Sequence, residues 1–229
     1  MPHRSFPKLP HHPDVELLSE QRVWSGRFPL DVVRFRHRRF DGAMSGEKTW
    51  EVWRRGRAAA VLPYDPAADV VVLIEQFRLP ALMARLDPVL VELPAGLCDE
   101  GEHAEQTARR EMMEEMGLSV GVLRRVGGFL LTPGGADELC ELFVGRVQAP
   151  TAGPDGIVGH AGAADEHEDI RVRVFPAEDA IASALSGQLC NSVTMIGLLW
   201  LAAQREALRK EWISHDGVVR PAPDQRRPG

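Results

Sequence analysis

Three glutamate side chains near the middle of the chain could hold a divalent metal ion. Glu111, Glu114 and Glu115 stand at positions i, i+3 and i+4 of the stretch TARREMMEEMGL, so they share one face of a helix. Like charges at this spacing destabilise an isolated helix, and Arg109 and Arg110 offset only part of that repulsion. Carboxylates loaded with Mg²⁺ would attract an anionic substrate that bare carboxylates repel. The alternative for such a run is a solvated acidic face.

The elements around these glutamates predict that they lie beside a sheet. The run PVLVELPAG is typical of a strand that stops at Pro94 and Gly96. A helix is predicted from about His103 to Met116, because Gly117 stands where a helix usually ends. The strand would therefore hold the start of the acidic stretch at the edge of the sheet, which a solvated acidic face does not require.

The remaining patterns predict an α+β protein. Strands are predicted in DVVRFRHRRF and KTWEVWRR, on both sides of the turn DPAAD, and in LRRVGGFLL, ELCELFVGRVQ and DIRVRVF. The runs PAEDAIASALSGQL and SVTMIGLLWLAAQREALRKEW predict two helices, and APTAGPDGIVGHAGAADEHED predicts a long loop. This order of strands, helix, strands and helices indicates a mixed α+β sandwich.

The same patterns divide the chain into four segments. Residues 1–14 and 216–229 are expected to be disordered ends, and residues 58–215 are expected to form the main domain. Residues 15–57 carry short, charged strands and too few residues for a core of their own. This N-terminal segment must therefore pack on the main domain or on a second copy of the chain.

Composition limits the classes of function. The 229 residues have a formal net charge of −6, which argues against a nucleic-acid binder that relies on general basicity. The 3 cysteines are widely spaced, which favours a reducing cytoplasm over a disulfide framework or a zinc site. The polar start of the chain is not expected to be a signal peptide, and the apolar run MIGLLWLAA is far shorter than the ~20 residues of a membrane span. Neither a nucleic-acid nor a membrane partner is expected.

The acidic stretch resembles the Nudix box, a long and specific pattern. The box reads Gly, five residues, Glu, seven residues, Arg-Glu, an apolar residue, any residue, Glu-Glu, any residue, Gly and an apolar residue. Every fixed position matches here: Gly96, Glu102, Arg110-Glu111, Met112, Glu114-Glu115, Gly117 and Leu118. The stretches VELLSEQRVWSGRFPLDVVRFRHRRFDGAMS, VVVLIEQFRLP, FLLTPGGADE and DEHEDIRV resemble the bacterial ADP-ribose pyrophosphatase group of that family.

This resemblance implies a fold, a metal site and a set of catalytic groups. It implies a Nudix fold with a small N-terminal β domain that is exchanged in a homodimer. It also implies two or three Mg²⁺ per site, with Mn²⁺ as an alternative. The implied ligands are Glu111 and Glu115, with Glu114 as an auxiliary, the carbonyl of Ala95, and Glu168 on the long loop. Glu166 on that loop would be the general base that acts with Glu111 and Glu115, and Glu102 and Arg110 would brace the box.

The resemblance also implies a substrate site that is shared between two subunits. Arg78 would meet the phosphates. The exchanged segment would bring residues toward adenine, namely Arg27, Phe28, Trp50, Glu51 and Arg55. The ribose side would be lined by Leu97, Thr132, Pro133, Gly134 and Glu138. Trp50 departs from the pattern of the group, where an arginine is expected, although an indole can also stack on adenine.

Purely structural roles are the alternatives for several of these residues. Phe28 and Trp50 could be interface core, and Arg55 could pair with a surface carboxylate. The TPGG stretch could be an ordinary turn, and the acidic loop that carries Glu166 and Glu168 could be merely solvated.

The reaction that the resemblance implies is hydrolysis of ADP-ribose to AMP and ribose 5-phosphate in the cytoplasm. One alternative is a pyrophosphatase for another nucleoside diphosphate sugar, such as GDP-mannose or ADP-glucose, because the box handles only the pyrophosphate. The other is a regulator that binds ADP-ribose without cleaving it. The intact box and the lack of a basic helix-turn-helix segment argue against the regulator.

Overall fold

A computed structural model of the protein describes residues 6–162 and 169–214, which form two sheets and four helices. The N-terminal sheet contains β1 (Val15–Ser25), β2 (Pro29–His37) and β3 (Lys48–Trp53). Its strands pair antiparallel in the order β1-β2-β3. Both predicted strand runs of the N-terminal segment are therefore strands.

The larger sheet has eight strands and carries the site. They are β4 (Arg57–Asp65), β5 (Val70–Phe77), β6 (Val89–Glu92), β7 (Ala95–Leu97), β8 (Leu123–Leu130), β9 (Leu139–Arg146), β10 (Ile157–Ala161) and β11 (Ile170–Pro176). The order is β10-β11-β5-β4-β9-β8, with β6 paired to β5 and β7 paired to β4. Strands β4 and β9 run parallel and the other pairs run antiparallel, so the sheet is mixed.

Helices cover both faces of this sheet. They are α1 (Leu79–Met83), α2 (Ala104–Met116), α3 (Ala177–Leu185) and α4 (Ser192–Ser214). Alternate side chains of β5 serve the two faces, because Leu73 packs in the core under α3 and α4 while Ile74 packs in the core under α2. This arrangement is the expected α+β sandwich. None of the described helices combines the length and apolar character that a membrane crossing needs.

Three local features differ from the sequence prediction. Gly96 does not stop the preceding strand, because β6 ends at Glu92 and Gly96 lies inside the short strand β7. The predicted long loop contains β10, which pairs with β11 and so forms through tertiary contact rather than local propensity. The short helix α1 has Pro80 in its first turn and was not predicted.

The ends of the chain were both predicted to be disordered. Residues 1–5 and 215–229 lie outside the described part. From Phe6 onward the N-terminal residues have defined contacts with the N-terminal sheet. The Pro7 carbonyl accepts a hydrogen bond from Arg54 NH2 at 2.7 Å, and the Leu9 N–H donates to Glu20 Oε2 at 3.2 Å.

The two sheets are tied together where β3 ends. The Trp53 N–H donates to the Gly135 carbonyl at 2.8 Å, in the turn between β8 and β9. Arg54 Nε then donates to Asp137 Oδ2 at 2.7 Å, and Arg54 NH1 donates to Asp31 Oδ2 at 2.8 Å. Hydrogen bonds from Arg22 and Arg54 hold the pKa of Asp31 below its ordinary value despite burial. These contacts fix the N-terminal sheet next to the turn that follows β8.

Candidate active site

Helix α2 presents two of its three adjacent glutamates to the sheet. The helix begins after His103, whose N–H donates to Gln106 Oε1, and ends at Gly117, which has the left-handed φ of 66°. Glu111 and Glu115 are only 8% and 3% exposed, whereas Glu114 points to solvent. A buried carboxylate is costly unless it is paired or binds a cation, so these two side chains require partners.

Strand β7 supplies the surface against which both carboxylates lie. The Ala95 N–H donates to Glu115 Oε2 at 3.0 Å. Glu111 lies against Gly96, where an added Cβ would overlap the Glu111 carboxylate. Glycine is therefore required at position 96 for this approach. The two buried carboxylates thus meet the backbone of two consecutive residues.

The register of β7 also sets the direction of the Ala95 carbonyl. Ala95 stands opposite Ala60 on β4, and the bond beside this pair runs from the Val61 N–H to the carbonyl of the preceding residue, Pro94, at 3.1 Å. In an antiparallel pair, the N–H and the C=O of such a residue both point away from the partner strand. The Ala95 carbonyl therefore points to the same side of β7 as the Ala95 N–H, which donates to Glu115. A metal ligand that acts together with Glu115 must lie on that side.

Arg110 joins the acidic groups of the box. Its guanidinium donates to both carboxylate oxygens of Glu102 at 3.2 and 3.1 Å, and to the Leu97 carbonyl at 3.2 Å. It also donates to Glu111 Oε1 at 2.7 Å and to Glu114 Oε2 at 2.9 Å. The hydrogen bonds from Arg110 lower the pKa of Glu102 to about 2. The predicted contact between Glu102 and Arg110 is therefore present, and it links the loop before α2 to the helix.

The donor groups on α2 and β7 suit a hard divalent cation. Carboxylate oxygens and a backbone carbonyl are the ligands that Mg²⁺ prefers, and Mg²⁺ keeps several waters of its own. Within residues 6–162 and 169–214, no group of three or more His, Cys, Asp or Glu side chains is arranged to hold a metal by side chains alone. Glu111, Glu115 and the Ala95 carbonyl are thus a partial set. Glu166 and Glu168, the predicted base and additional ligand, lie outside the described residues.

Arg78, the predicted phosphate contact, stands where β5 leads into α1. Its Nε and NH2 approach Glu92 Oε2 at 2.9 and 2.7 Å, while 43% of its side chain stays exposed. Glu92 is buried at the end of β6, and its Oε1 accepts from Asn191 Nδ2 at 2.7 Å. The guanidinium is thus anchored by one carboxylate and still open to solvent.

A second group of predicted residues meets beside the turn between β8 and β9. The Arg55 guanidinium lies 3.9 Å from the centre of the Phe28 ring and makes a bidentate pair with Glu138 at 3.0 and 3.1 Å. Arg27 stacks more loosely on the same ring, at 5.6 Å. The Thr132 carbonyl accepts from the backbone N–H groups of Gly135 and Ala136, which closes the turn that contains Pro133 and Gly134.

Trp50 does not join this cluster within one chain. The Trp50 ring packs edge-on against Phe35, with 5.5 Å between the ring centres, on the N-terminal sheet. Successive residues of a strand point to opposite faces, so Trp50 and Glu51 face opposite ways. Trp53, two residues after Glu51, lies on the Glu51 side instead. Its ring centre is 5.8 Å from that of Phe28 and 4.7 Å from the Arg55 guanidinium.

Sequence reasoning missed Trp53, Glu92 and Asn191. Two tryptophans in KTWEVWRR fall on opposite faces of one strand, and the sequence alone did not indicate which of them meets Phe28. Glu92 could have been found as the only charged residue of the apolar run PVLVELPAG. Asn191 could have been found as the cap of a helix, because Asn is favoured there and the predicted helix starts at Ser192.

The fold and the box define the class of protein. A family model described as the NUDIX domain matches residues 54–189. The chain therefore belongs to the Nudix family.

The chain is also similar to individual pyrophosphatases. The chain is 45% identical to the ADP-ribose pyrophosphatase of Escherichia coli (strain K12) over 199 residues, which cover 87% of this chain and 93% of that protein. The ADP-ribose pyrophosphatase of Haemophilus influenzae is 38% identical over 202 residues, covering 87% of this chain and 91% of the relative. The GDP-mannose pyrophosphatase of Salmonella arizonae is 30% identical over 189 residues, covering 82% and 95%.

One solved structure has the same fold. It is described as the crystal structure of an ADP compounds hydrolase, and it superposes with a TM-score of 0.61 at 18% sequence identity. The match covers 91% of this chain and 99% of that chain. At this identity the likeness supports the fold alone.

Proposed function

We propose that this protein hydrolyses the pyrophosphate bond of ADP-ribose to AMP and ribose 5-phosphate. The observation that carries the proposal is the approach of the Glu111 and Glu115 carboxylates to the backbone of Ala95 and Gly96. The choice of substrate is supported by the 45% identity to an ADP-ribose pyrophosphatase, against 30% to a GDP-mannose pyrophosphatase.

Glu111, Glu115 and the Ala95 carbonyl are the groups that would hold divalent cations, and we assign Mg²⁺ to them. Glu114 would assist from the exposed side, and Glu168 would add a further ligand. When bound, Mg²⁺ would polarise the phosphoryl oxygens and acidify water. Gly96 lets the Glu111 carboxylate lie close to β7, and Arg110 donates a hydrogen bond to its Oε1. The number of ions, two or three, and their replacement by Mn²⁺ are predictions.

The other groups would bind the substrate and move a proton. Arg78 can turn its exposed guanidinium to the diphosphate while Glu92 holds its Nε. Glu166, which precedes β11 in the chain, would take a proton from the attacking water. The cluster of Phe28, Arg55 and Glu138 would form the wall for the nucleoside and the sugar.

A homodimer would complete this wall. Trp24, Leu30 and Trp53 stand opposite one another on three neighbouring strands, so they share one face of the N-terminal sheet. Trp24 and Trp53 are 64% and 46% exposed. Contiguous exposed apolar surface marks an interaction site, and a second copy of the chain would cover it. Glu51 lies on this face and would then reach the substrate of the partner subunit, whereas Trp50 lies on the opposite face and its contact with that substrate stays a prediction. A cytoplasmic location remains a prediction.

Product analysis tests the proposal. Purified protein with Mg²⁺ is incubated with ADP-ribose, ADP-glucose, GDP-mannose or NADH, and the products are separated and identified. We expect AMP and ribose 5-phosphate to form fastest from ADP-ribose, and to disappear when a chelator removes the metal. Faster turnover of GDP-mannose would favour the other pyrophosphatase. Binding of ADP-ribose without any product would favour the non-catalytic regulator.

A further inference from the structure

Helix α4 lies on the face of the sheet opposite α2, yet its first turn contacts the strand ends that carry the site. Asn191 Oδ1 accepts from the Thr194 N–H at 3.0 Å and from the Thr194 hydroxyl at 3.1 Å. The Thr194 Oγ1 accepts from the Leu93 N–H at 3.1 Å, between β6 and β7. Thr194 is fully buried. Asn191 is therefore the N-cap of α4, and the same turn holds the backbone just before Ala95.

The orientation of the Asn191 amide follows from these contacts. Its oxygen must face the Thr194 N–H, which can only donate, so its nitrogen must face Glu92. Asn191 Nδ2 donates to Glu92 Oε1 at 2.7 Å, and Glu92 Oε2 accepts from Arg78 Nε at 2.9 Å and from NH2 at 2.7 Å. The side-chain amide of Asn191 thus holds Glu92 Oε1, while Glu92 Oε2 accepts the hydrogen bonds from Arg78.

We infer that Asn191 and Glu92 are positioning residues that hold Arg78 in the orientation that binds the substrate diphosphate. Arg side chains lose considerable rotational freedom when they bind, and a guanidinium fixed beforehand loses less. The buried Glu92 supplies that fixation only while its own carboxylate is held, and Asn191 is the donor on its second oxygen. This inference rests on the proposed role of Arg78 in ADP-ribose hydrolysis.

The variant Asn191→Ser separates this role from the stability of α4. Serine caps a helix about as well as asparagine, but its side chain is too short to reach Glu92. We expect the KM for ADP-ribose to rise about 10-fold with kcat within about twofold, because the loss falls on substrate binding. Asn191→Asp keeps the cap and the shape but faces Glu92 with a second carboxylate, and it should raise the KM at least as much.

A matched control lies further along α4. Arg205 ties that helix to Asp69 by hydrogen bonds and is remote from Arg78 in the fold. Arg205→Gln should lower the midpoint of thermal unfolding without a change in KM. A double-mutant cycle completes the test, because Asn191→Ser should have no further effect on KM in an Arg78→Gln background.

Two results would overturn the inference. An unchanged KM in both Asn191 variants, with a raised KM in Arg78→Gln, would leave Arg78 as a substrate contact that needs no positioning. An unchanged KM in Arg78→Gln would remove Arg78 from the binding site, and the positioning role with it. Neither result bears on whether ADP-ribose is the substrate, which the product analysis decides separately.

Discussion

The Nudix box and the N-terminal sheet differ in how far their side chains are satisfied within one chain. In the box, Arg110 contacts Glu102, Glu111 and Glu114, and Glu115 accepts from the Ala95 N–H. In the N-terminal sheet, by contrast, aromatic side chains remain open to solvent, and Trp50 is still 51% exposed beside Phe35.

This difference separates two tasks that the protein must perform. The box would handle a diphosphate, which is common to many nucleotide sugars, and its groups come from α2 and β7 of a single chain. The wall proposed for the nucleoside and the sugar would have to distinguish one base and one sugar from others, and its Phe28 contacts Trp53 on the sheet that a second copy would cover. Changes in the box should therefore affect the reaction, whereas changes in the N-terminal sheet should affect assembly and substrate preference.

The largest effect is expected from Glu115→Gln. The amide can still accept the hydrogen bond from the Ala95 N–H, so the fold should persist, but the negative charge that attracts a cation is lost. Because even groups that only support metal ligands cost about 10- to 100-fold, we expect kcat for ADP-ribose to fall by more than about 100-fold. Steady-state kinetics with Mg²⁺ measure this loss, and thermal unfolding checks the fold. A near-normal kcat in the folded variant would show that Glu115 is not a metal ligand.

The next effect is expected from Gly96→Ala. The new methyl group would overlap the Glu111 carboxylate and displace it from β7. We expect kcat to fall about 10- to 100-fold in a protein that still folds, as for other changes that misplace a ligand. Gly127→Ala on β8 is the matched control, since nothing lies within 4 Å of a Cβ built there. Equal activity of the two variants would show that the contact between Gly96 and Glu111 is unimportant.

A third effect concerns only the N-terminal sheet. Trp24→Ser removes a large exposed ring from the face shared with Leu30 and Trp53. If that face is the dimer interface, the dissociation constant should rise about 10- to 30-fold, which is typical of a tryptophan anchor. Light scattering across a dilution series measures this change. Glu115→Gln should stay dimeric in the same assay, and a wild-type protein that is monomeric throughout would refute the proposed interface.

The smallest effect is expected in acid, from Glu102. Arg110 lowers the pKa of Glu102 from its ordinary value of 4.5 to about 2 in the folded protein. A carboxyl whose pKa is lowered by folding adds stability above pH 4.5, and that stability is lost as the pH falls toward 2. Glu102→Gln should therefore be less stable than wild type at neutral pH, and the difference should shrink below pH 4.5. Urea unfolding at several pH values measures it, and a difference independent of pH would contradict the role of this ion pair.

Helical spacing predicted that Glu111 and Glu115 share a face, and the resemblance to the Nudix box implied the contact between Glu102 and Arg110. Glu111 and Glu115 are one helical turn apart, and Glu102 lies in the loop that directly precedes the helix of Arg110. The bond between Asn191 and Glu92 joins residues 99 positions apart, so no local pattern indicates it. Similarly, β10 lies in a glycine-rich run and becomes a strand only through its pairing with β11. The sequence predicted strands around Trp50 and Trp53, but the choice between the two rings depends on how β3 packs.

One site, formed by Glu111, Glu115 and the Ala95 carbonyl, would perform the reaction, while a separate surface, formed by Phe28, Arg55 and Glu138, would select the substrate. The most direct test is to measure kcat/KM for ADP-ribose and for GDP-mannose with one preparation each of wild type and Glu115→Gln. We predict a preference for ADP-ribose of about 10-fold or more in wild type, and a large loss in Glu115→Gln that is equal for both substrates. A preference for GDP-mannose would contradict the proposed substrate, and a loss confined to one of the two substrates would contradict the separation of the reaction from the choice of substrate.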